Sequence, residues 1–249
     1  IQGLTEFLPI SSSAHLLFPT LIFGTNDLGL SFDIAVHAGT LIAVIFFFRN
    51  EIKFMLQSIT TSNTSLSDYR KLTYMLIIAT IPIVAAGLGF SDFIEDRIFN
   101  VSSIAIANLI FAIVLFIVFL NRKENLSIFE ITFKAALLIG FFQCFALIPG
   151  ASRSGMAITG ALLIGLNLKD ASKFTFLLSI PTIAGALIFL LVDFNQISFD
   201  YLNVLIGFFV SMIVAFFTIK YFLAFVERIG MVPFVMYRVI LGLMLLIIF

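Results

Sequence analysis

Seven long apolar runs, separated by short polar patches, dominate this sequence of 249 residues. A helix needs about 20 apolar residues to cross the hydrocarbon layer of a membrane, and several runs approach that length. The approximate spans are 32–48, 72–90, 101–120, 131–148, 173–192, 201–219 and 231–249. The pattern predicts an all-α polytopic membrane protein that forms a single transmembrane domain over residues 1–249.

Composition supports this class and excludes others. The mean hydropathy is +1.17 and 61% of the residues are hydrophobic, values outside the range of soluble globular proteins. The formal net charge is +0, so electrostatic attraction to nucleic acid has no basis. Cys144 is the single cysteine, which excludes an intrachain disulfide and a thiolate metal site built by this cysteine alone.

Lysine and arginine cluster in four of the segments between the apolar runs. These segments are 49–71, 121–134, 168–173 and 220–230. By the positive-inside rule they lie in the cytoplasm. The segments 24–31, 91–100 and 193–200 contain a single basic residue, Arg97, and are therefore predicted to be external.

Two further apolar stretches, 1–23 and 149–167, are interrupted by polar sequence. The interruptions lie in the first motif, "EFLPISSSAH" (residues 6–15), and in the second motif, "PGASRSG" (residues 149–155). The seven spans alternate between the two sides of the membrane only if both stretches are re-entrant. The first would enter from outside and the second from the cytoplasm, so that the two hairpins meet near the membrane midplane.

Faint internal repetition agrees with this topology. "FLPISSS" aligns with "LIPGASR", which pairs Ser12 with Ser152. We therefore predict two inverted repeats, residues 1–125 and 126–249, a design with broken helices and a midplane site that recurs in transporters. The chain begins at Ile1 and enters the first motif almost at once, so we also expect a further helix before Ile1.

Serines gather at both interruptions and predict an anion site. Non-helical backbone at membrane depth is tolerated only where it is buried or lines a water-filled cavity. Serine is a good helix N-cap, so each break should present free backbone N–H groups and the positive end of a helix dipole. Arg153 adds a planar fork that suits phosphate oxygens. The predicted binding residues are Ser11, Ser13, Gly150, Ser152, Ser154 and Gly155, the glycines leaving room for close approach of a ligand to the backbone.

The first motif and the residues before it also carry groups suited to phosphoryl transfer. Gln2 and Glu6 are four residues apart, so on a helix they share one face and could offer oxygen ligands to Mg²⁺ or Ca²⁺. His15 follows Ser12 by three residues and can donate or accept a proton near neutral pH. Glu6, Ser12, His15 and Arg153 are thus the predicted catalytic residues, with Gln2 and Glu6 as the cation site.

Three other polar residues in apolar spans have competing interpretations. His37 is equally consistent with a structural and a functional role. Gln143 is predicted to support the second break by bonding an exposed carbonyl. Arg238, in the last span, is predicted either to reach the membrane surface or to form a structural pair.

"QGLTEFLPISSSAH" together with "PGASRSG" resembles the bacterial undecaprenyl-diphosphate phosphatases of the bacitracin-resistance type, and "FDIAVHAGTL" and "LLSIPTIAGA" are also similar to that family. The resemblance covers essentially the whole chain. It implies an integral enzyme of the bacterial cell membrane that removes the terminal phosphate from a C55 polyprenyl diphosphate. It further implies a divalent cation and an active site that opens to the external face.

The family's functional residues map onto matching positions of this chain. Its acidic motif falls on Gln2 and Glu6, its hydroxyl and histidine fall on Ser12 and His15, and its arginine falls on Arg153. Gln2 replaces a glutamate found in some members, which weakens any scheme that needs two carboxylates on the metal. Ala14 stands where glycine is usual.

The residues leave some alternatives open. A carrier or flippase for polyprenyl phosphate could use the same anion site, and an anion channel is a third, less favoured interpretation because no ring of charges is visible. A carrier does not need Glu6, Ser12 and His15 together. The attacking group could be Ser12, water or His15. The sequence leaves the oligomeric state open between a monomer and a homodimer.

Overall fold

The computed structural model describes residues 1–16, 24, 28–61, 64–89, 100–190 and 201–248, and these ranges contain helices and turns without a β-strand. The α-helices are α1 (Gln2–Thr5), α2 (Ser12–Leu16), α3 (Leu30–Phe47), α4 (Arg49–Thr60), α5 (Ser67–Gly89), α6 (Val101–Leu120), α7 (Phe133–Cys144), α8 (Arg153–Leu163), α9 (Leu168–Leu190), α10 (Tyr201–Ile229) and α11 (Val232–Ile248). Short 3₁₀ turns lie at Thr64–Leu66, Ile128–Glu130 and Phe145–Leu147.

Five described helices are long and apolar enough to cross a membrane: α3, α5, α6, α9 and α10. Two shorter apolar helices, 133–147 and α11, account for the remaining predicted runs. Each of the seven predicted spans therefore corresponds to a helical segment. The protein is an all-α polytopic membrane protein, as the sequence predicted.

One predicted boundary is wrong. The apolar run 201–219 was expected to end at the charged segment that follows, but α10 continues to Ile229. Lysine, glutamate and arginine are good helix formers, so charge alone does not end a helix. The helix stops at Gly230, whose φ of 69° is a left-handed conformation that glycine adopts without strain.

Small residues bring α1, α3 and α10 into close contact. A Cβ at Gly39 of α3 would lie 2.4 Å from the Phe208 carbonyl oxygen, and a Cβ at Gly3 of α1 would lie 2.5 Å from the Ser211 carbonyl oxygen. The Ser211 hydroxyl also donates to the Val36 carbonyl at 2.8 Å. Close approach of backbones at small residues is how helices pack in membranes, and here it fixes the start of the chain on α10.

A buried arginine joins α11 to α6 and to the second motif. Arg238 is 0% exposed, and its Nε donates to Asn108 Oδ1 at 2.8 Å. Its Nη2 donates to the carbonyls of Gly150 and Ala151, both at 3.0 Å. The predicted structural pairing is confirmed, and the alternative that this side chain reaches the membrane surface is wrong. The arginine instead satisfies carbonyls that the break in the second motif leaves free.

Polar contacts tie the positively charged segments to one another. The contacts are Lys173 Nζ to Glu51 Oε1 at 2.9 Å, Lys169 Nζ to Glu227 Oε2 at 3.8 Å, and the Ile128 N–H to Asp170 Oδ2 at 3.0 Å. These segments therefore lie at one face of the molecule. That this face is cytoplasmic stays a prediction, since most of 91–100, all of 193–200 and part of 24–31 fall outside the described residues.

Candidate active site

The backbone breaks at one serine in each motif. Ser11 has a φ of 67° and Ser152 a φ of 72°, a left-handed conformation that is rare for residues other than glycine. Each serine directly precedes a helix, α2 in the first motif and α8 in the second. Strained backbone of this kind persists only where surrounding contacts hold it, and it concentrates at functional sites.

This conformation corrects the register of the sequence alignment. The alignment paired Ser12 with Ser152, whereas the backbone pairs Ser11 with Ser152, one residue earlier. The position that corresponds to Ser12 is therefore Arg153. The error arose because the alignment matched the prolines, while the turn geometry is set by the residue that adopts the positive φ.

Hydroxyl groups link the two motifs reciprocally. Ser11 Oγ lies 3.1 Å from Ser13 Oγ, and Ser152 Oγ lies 3.3 Å from Ser154 Oγ. The second serine of each pair then forms a hydrogen bond with the other motif. Ser13 Oγ accepts from the Gly150 N–H at 3.0 Å, and Ser154 Oγ donates to the Leu8 carbonyl at 2.8 Å. The predicted meeting of the two interrupted segments is therefore seen directly.

Of the predicted N-caps in the second motif, the structure supports one. Ser152 Oγ accepts from the Gly155 N–H at 3.2 Å and caps α8. Ser154 instead lies inside the first turn of α8, where its hydroxyl serves the contact with the first motif. The helix end remains suited to an anion, but the Ser154 hydroxyl is engaged with protein.

Protein packing constrains both glycines of the second motif. Gly150 has a φ of 99°, and a Cβ there would lie 2.3 Å from the Ile104 carbonyl oxygen. A Cβ at Gly155 would lie 3.1 Å from Arg238 Nη1 and from Ser152 Oγ. The structure thus gives a reason for both glycines that differs from the predicted one, which was space for a ligand.

Glu6 is the residue on which the predicted site converges. The residue is 8% exposed, and its carboxylate accepts hydrogen bonds from three side chains. Gln2 Nε2 donates to Oε2 at 2.9 Å, Ser12 Oγ donates to Oε2 at 3.3 Å, and Arg153 Nη2 donates to Oε1 at 2.9 Å. Gln2 and Glu6 thus share one face, as their spacing predicted. Four of the predicted residues meet although Arg153 is 147 positions from Glu6.

Two atoms of this cluster are buried without a hydrogen-bond partner among the described residues. They are Arg153 Nη1 and Gln2 Oε1. An unpaired buried donor on a guanidinium favours binding of an anion, and an unpaired amide oxygen beside a carboxylate favours a hard cation. The described residues hold no group of three or more histidine, cysteine or acidic side chains that would form a complete metal site.

His15 is oriented by two other groups. Its Nδ1 lies 2.7 Å from the Ser11 carbonyl oxygen, and its Nε2 lies 2.7 Å from the Tyr237 hydroxyl. The imidazole is almost completely buried. The structure therefore brings His15 to α11, whereas Ser12 and Arg153 turn toward Glu6.

The family model for the bacitracin resistance protein BacA matches residues 1–244 of the chain. The chain belongs to the BacA family. This match covers both motifs and confirms the resemblance to the family. The family is one of undecaprenyl-diphosphate phosphatases, which are hydrolases of the membrane.

Sequence reasoning missed one polar contact of this BacA-family site. Tyr237 was not singled out, although the chain contains 32 Phe and only 5 Tyr. In a sequence that uses phenylalanine so heavily, a tyrosine within an apolar span signals that its hydroxyl has a partner. The adjacent Arg238 strengthens that signal, because both polar groups must be satisfied inside the protein.

The structure also defines the surroundings of His37 and Gln143, the other two polar residues singled out in apolar spans. His37 Nδ1 lies 2.7 Å from the Asp33 carbonyl oxygen, and the imidazole is an electrostatic neighbour of the Glu6 carboxylate. Gln143 is buried, yet neither amide atom has a partner among the described residues. The predicted support by Gln143 is therefore wrong. The carbonyls at the break are taken by Arg238 and, for Phe145, by the Ile148 N–H at 3.0 Å.

Proposed function

We propose that this chain hydrolyses the terminal phosphate of undecaprenyl diphosphate and releases undecaprenyl phosphate, the lipid carrier for cell-wall precursors. One observation carries the proposal. The buried carboxylate of Glu6 contacts both the Ser12 hydroxyl and the Arg153 guanidinium at the junction of the two motifs. A carboxylate, a hydroxyl and a guanidinium in mutual contact are a base, a nucleophile and a phosphate-binding group.

Arg153 would bind the diphosphate. Its Nη1 already lacks a partner among the described residues, while Nη2 and Nε are directed to Glu6. A phosphate oxygen that accepts from Nη1 would draw the guanidinium away from the carboxylate. The guanidinium would then hold the terminal phosphate beside Glu6 and Ser12, so that substrate binding itself positions the reacting groups.

Ser12 is the nucleophile that this geometry favours. Its hydroxyl would transfer a proton to Glu6 while its oxygen attacks the terminal phosphorus. The bond from that phosphorus to the bridging oxygen breaks, and undecaprenyl phosphate leaves. Water then hydrolyses the phosphoserine to free phosphate. Attack by water in place of Ser12 gives the same products, and the Ser12 variant described below distinguishes the two.

A divalent cation, Mg²⁺ or Ca²⁺, fits this donor set as a partner of the substrate. Gln2 Oε1 and the Glu6 carboxylate would supply two oxygen ligands. Mg²⁺ in particular binds commonly through one or two carboxylates together with substrate phosphates and water. The cation would neutralise charge on the diphosphate, and Gln2 and Glu6 would hold it beside Ser12.

We infer further that the protein lies in the bacterial cell membrane with the site open to the external face. The gathering of positively charged segments at one face supports an orientation with that face in the cytoplasm. A lipid carrier is the second candidate function, because interlocked broken helices are typical of transporters. A carrier would bind polyprenyl phosphate without releasing phosphate from the diphosphate.

Phosphate release by the purified protein in detergent, with undecaprenyl diphosphate as the substrate, tests the proposal. We expect release that depends on Glu6 and that falls when EDTA removes divalent cations. Glu6→Ala should abolish it, while the matched variant Glu51→Ala, which breaks an ion pair with Lys173 far along the chain, should retain it. Absence of release above the Glu6→Ala variant, with either cation added, would reject the hydrolase in favour of the carrier.

A further inference from the structure

The contact between His15 and Tyr237 joins the first motif to the last helix. The Tyr237 hydroxyl lies 2.7 Å from His15 Nε2, and the two ring planes differ by only 7°. The ring planes are nearly parallel and the ring centroids lie 5.5 Å apart. The separation of 2.7 Å between the hydroxyl oxygen and Nε2 is that of a good hydrogen bond.

The second ring nitrogen determines the tautomer. His15 Nδ1 lies 2.7 Å from the Ser11 carbonyl oxygen, and a carbonyl oxygen can only accept. Nδ1 therefore carries the proton. In the neutral ring Nε2 has the lone pair and accepts from the Tyr237 hydroxyl. Because a hydroxyl can also accept, the contact persists after Nε2 gains a proton.

Tyr237 is itself held in place by its neighbour. Arg238 is buried and bonds Asn108 together with the carbonyls of Gly150 and Ala151 in the second motif. The backbone of α11 is thus fixed against one motif while the Tyr237 hydroxyl contacts the other. A histidine of the first motif is oriented by a helix that is anchored on the second.

We propose that Tyr237 is the positioning residue for His15. Its hydroxyl holds the imidazole in the Nδ1–H tautomer and keeps Nε2 in one place through both protonation states. The inference rests on the proposed function and adds to it the proton exchange at His15 that the sequence predicted. If Tyr237 only fills space beside His15, loss of the hydroxyl has no consequence for either the imidazole or the reaction.

Tyr237→Phe tests the proposal because it removes the hydroxyl and keeps the ring. The chain has two histidines, so ¹⁵N-histidine spectra of the protein in detergent contain signals from His15 and His37 only, and His37→Gln assigns them. We expect Tyr237→Phe to shift the His15 ring-nitrogen signals and to leave those of His37 in place. Tyr221→Phe, an exposed tyrosine of α10, is the matched control and should shift neither.

Kinetics provide the second measurement. Removing groups that orient metal-bound histidines typically costs about 10–100-fold, and we expect a loss of that order in kcat with KM within about twofold. Unchanged His15 signals would reject the contact. Shifted signals with kcat at the wild-type value would reject the positioning role. The spectra are informative even if the protein releases no phosphate, so failure of this inference and failure of the proposed function are distinguishable.

Discussion

Arg153→Lys is the substitution that best separates charge from geometry at the candidate site. Lysine keeps the positive charge near Glu6 but replaces a planar fork of donors with a single ammonium group. In the structure Arg153 donates to Glu6 through Nη2 at 2.9 Å and through Nε at 3.3 Å, and Nη1 is unpartnered. One ammonium group at the end of a flexible chain cannot hold the carboxylate and a phosphate oxygen in this arrangement.

The size of the effect follows from these contacts. Lysine preserves the ion pair in which Glu6 and Arg153 are both largely buried, so the protein should fold and the first motif should stay in place. What it loses is the donor that would bind the phosphate in the transition state. Loss of one such preorganised donor commonly lowers the rate by about 10²–10³, or roughly 3–4 kcal/mol in the barrier.

The assay is phosphate release under saturating and limiting undecaprenyl diphosphate, so that kcat and KM are measured separately. We expect the loss mainly in kcat. Arg122→Lys is the matched control, because Arg122 pairs with Glu124 at 2.6 Å in an accessible loop outside both motifs. If Arg153→Lys worked at nearly the wild-type rate, the assignment of Arg153 as the phosphate-binding fork would be refuted.

Three further outcomes are expected. If Ser12 attacks the phosphorus, Ser12→Gly should lower kcat about a thousandfold or more while lipid binding is retained. A rate within tenfold of wild type would show that water or an imidazole attacks instead. Gly150→Ala should lower the free energy of unfolding, measured by thermal unfolding in detergent, by about 1–3 kcal/mol. The reason is that the φ of Gly150 is 99° and a Cβ there would contact backbone atoms. Gly185→Ala, with no atom within 4 Å of its Cβ, should raise it slightly; equal effects would contradict the packing argument. In a cysteine-free background, a cysteine introduced at Tyr201 should react with a membrane-impermeant reagent on intact cells. A cysteine introduced at Lys123 should react only after permeabilisation, and the reverse result would overturn the predicted orientation.

The sequence predicted the helices and the meeting of the motifs because both follow from local physics. Long apolar runs must become helices in a membrane, and polar groups at membrane depth must find one another. That reasoning correctly brought Gln2, Glu6, Ser12 and Arg153 together. It needed no knowledge of how the helices pack.

The features that sequence reasoning missed depend on backbone conformation and on partners that are distant in sequence. The one-residue error in register arose because a positive φ at Ser11 and Ser152 cannot be read from residue type. Tyr237 and His15 are 222 positions apart, and only the packing of α11 beside α2 reveals their contact. Gln143 was expected to bond a carbonyl exposed at the second break, but Arg238 bonds the Gly150 and Ala151 carbonyls there, and no local pattern reveals that competition.

The 147 positions between Glu6 and Arg153 have a consequence for biosynthesis. A ribosome that adds about 5–20 residues per second needs roughly 7 to 30 seconds to pass from one to the other. During that interval the nascent carboxylate lacks its partner Arg153, and an unpaired charge in hydrocarbon is costly. We therefore expect the first motif to wait at the membrane surface, or to insert with Glu6 protonated, until the second motif has been synthesised.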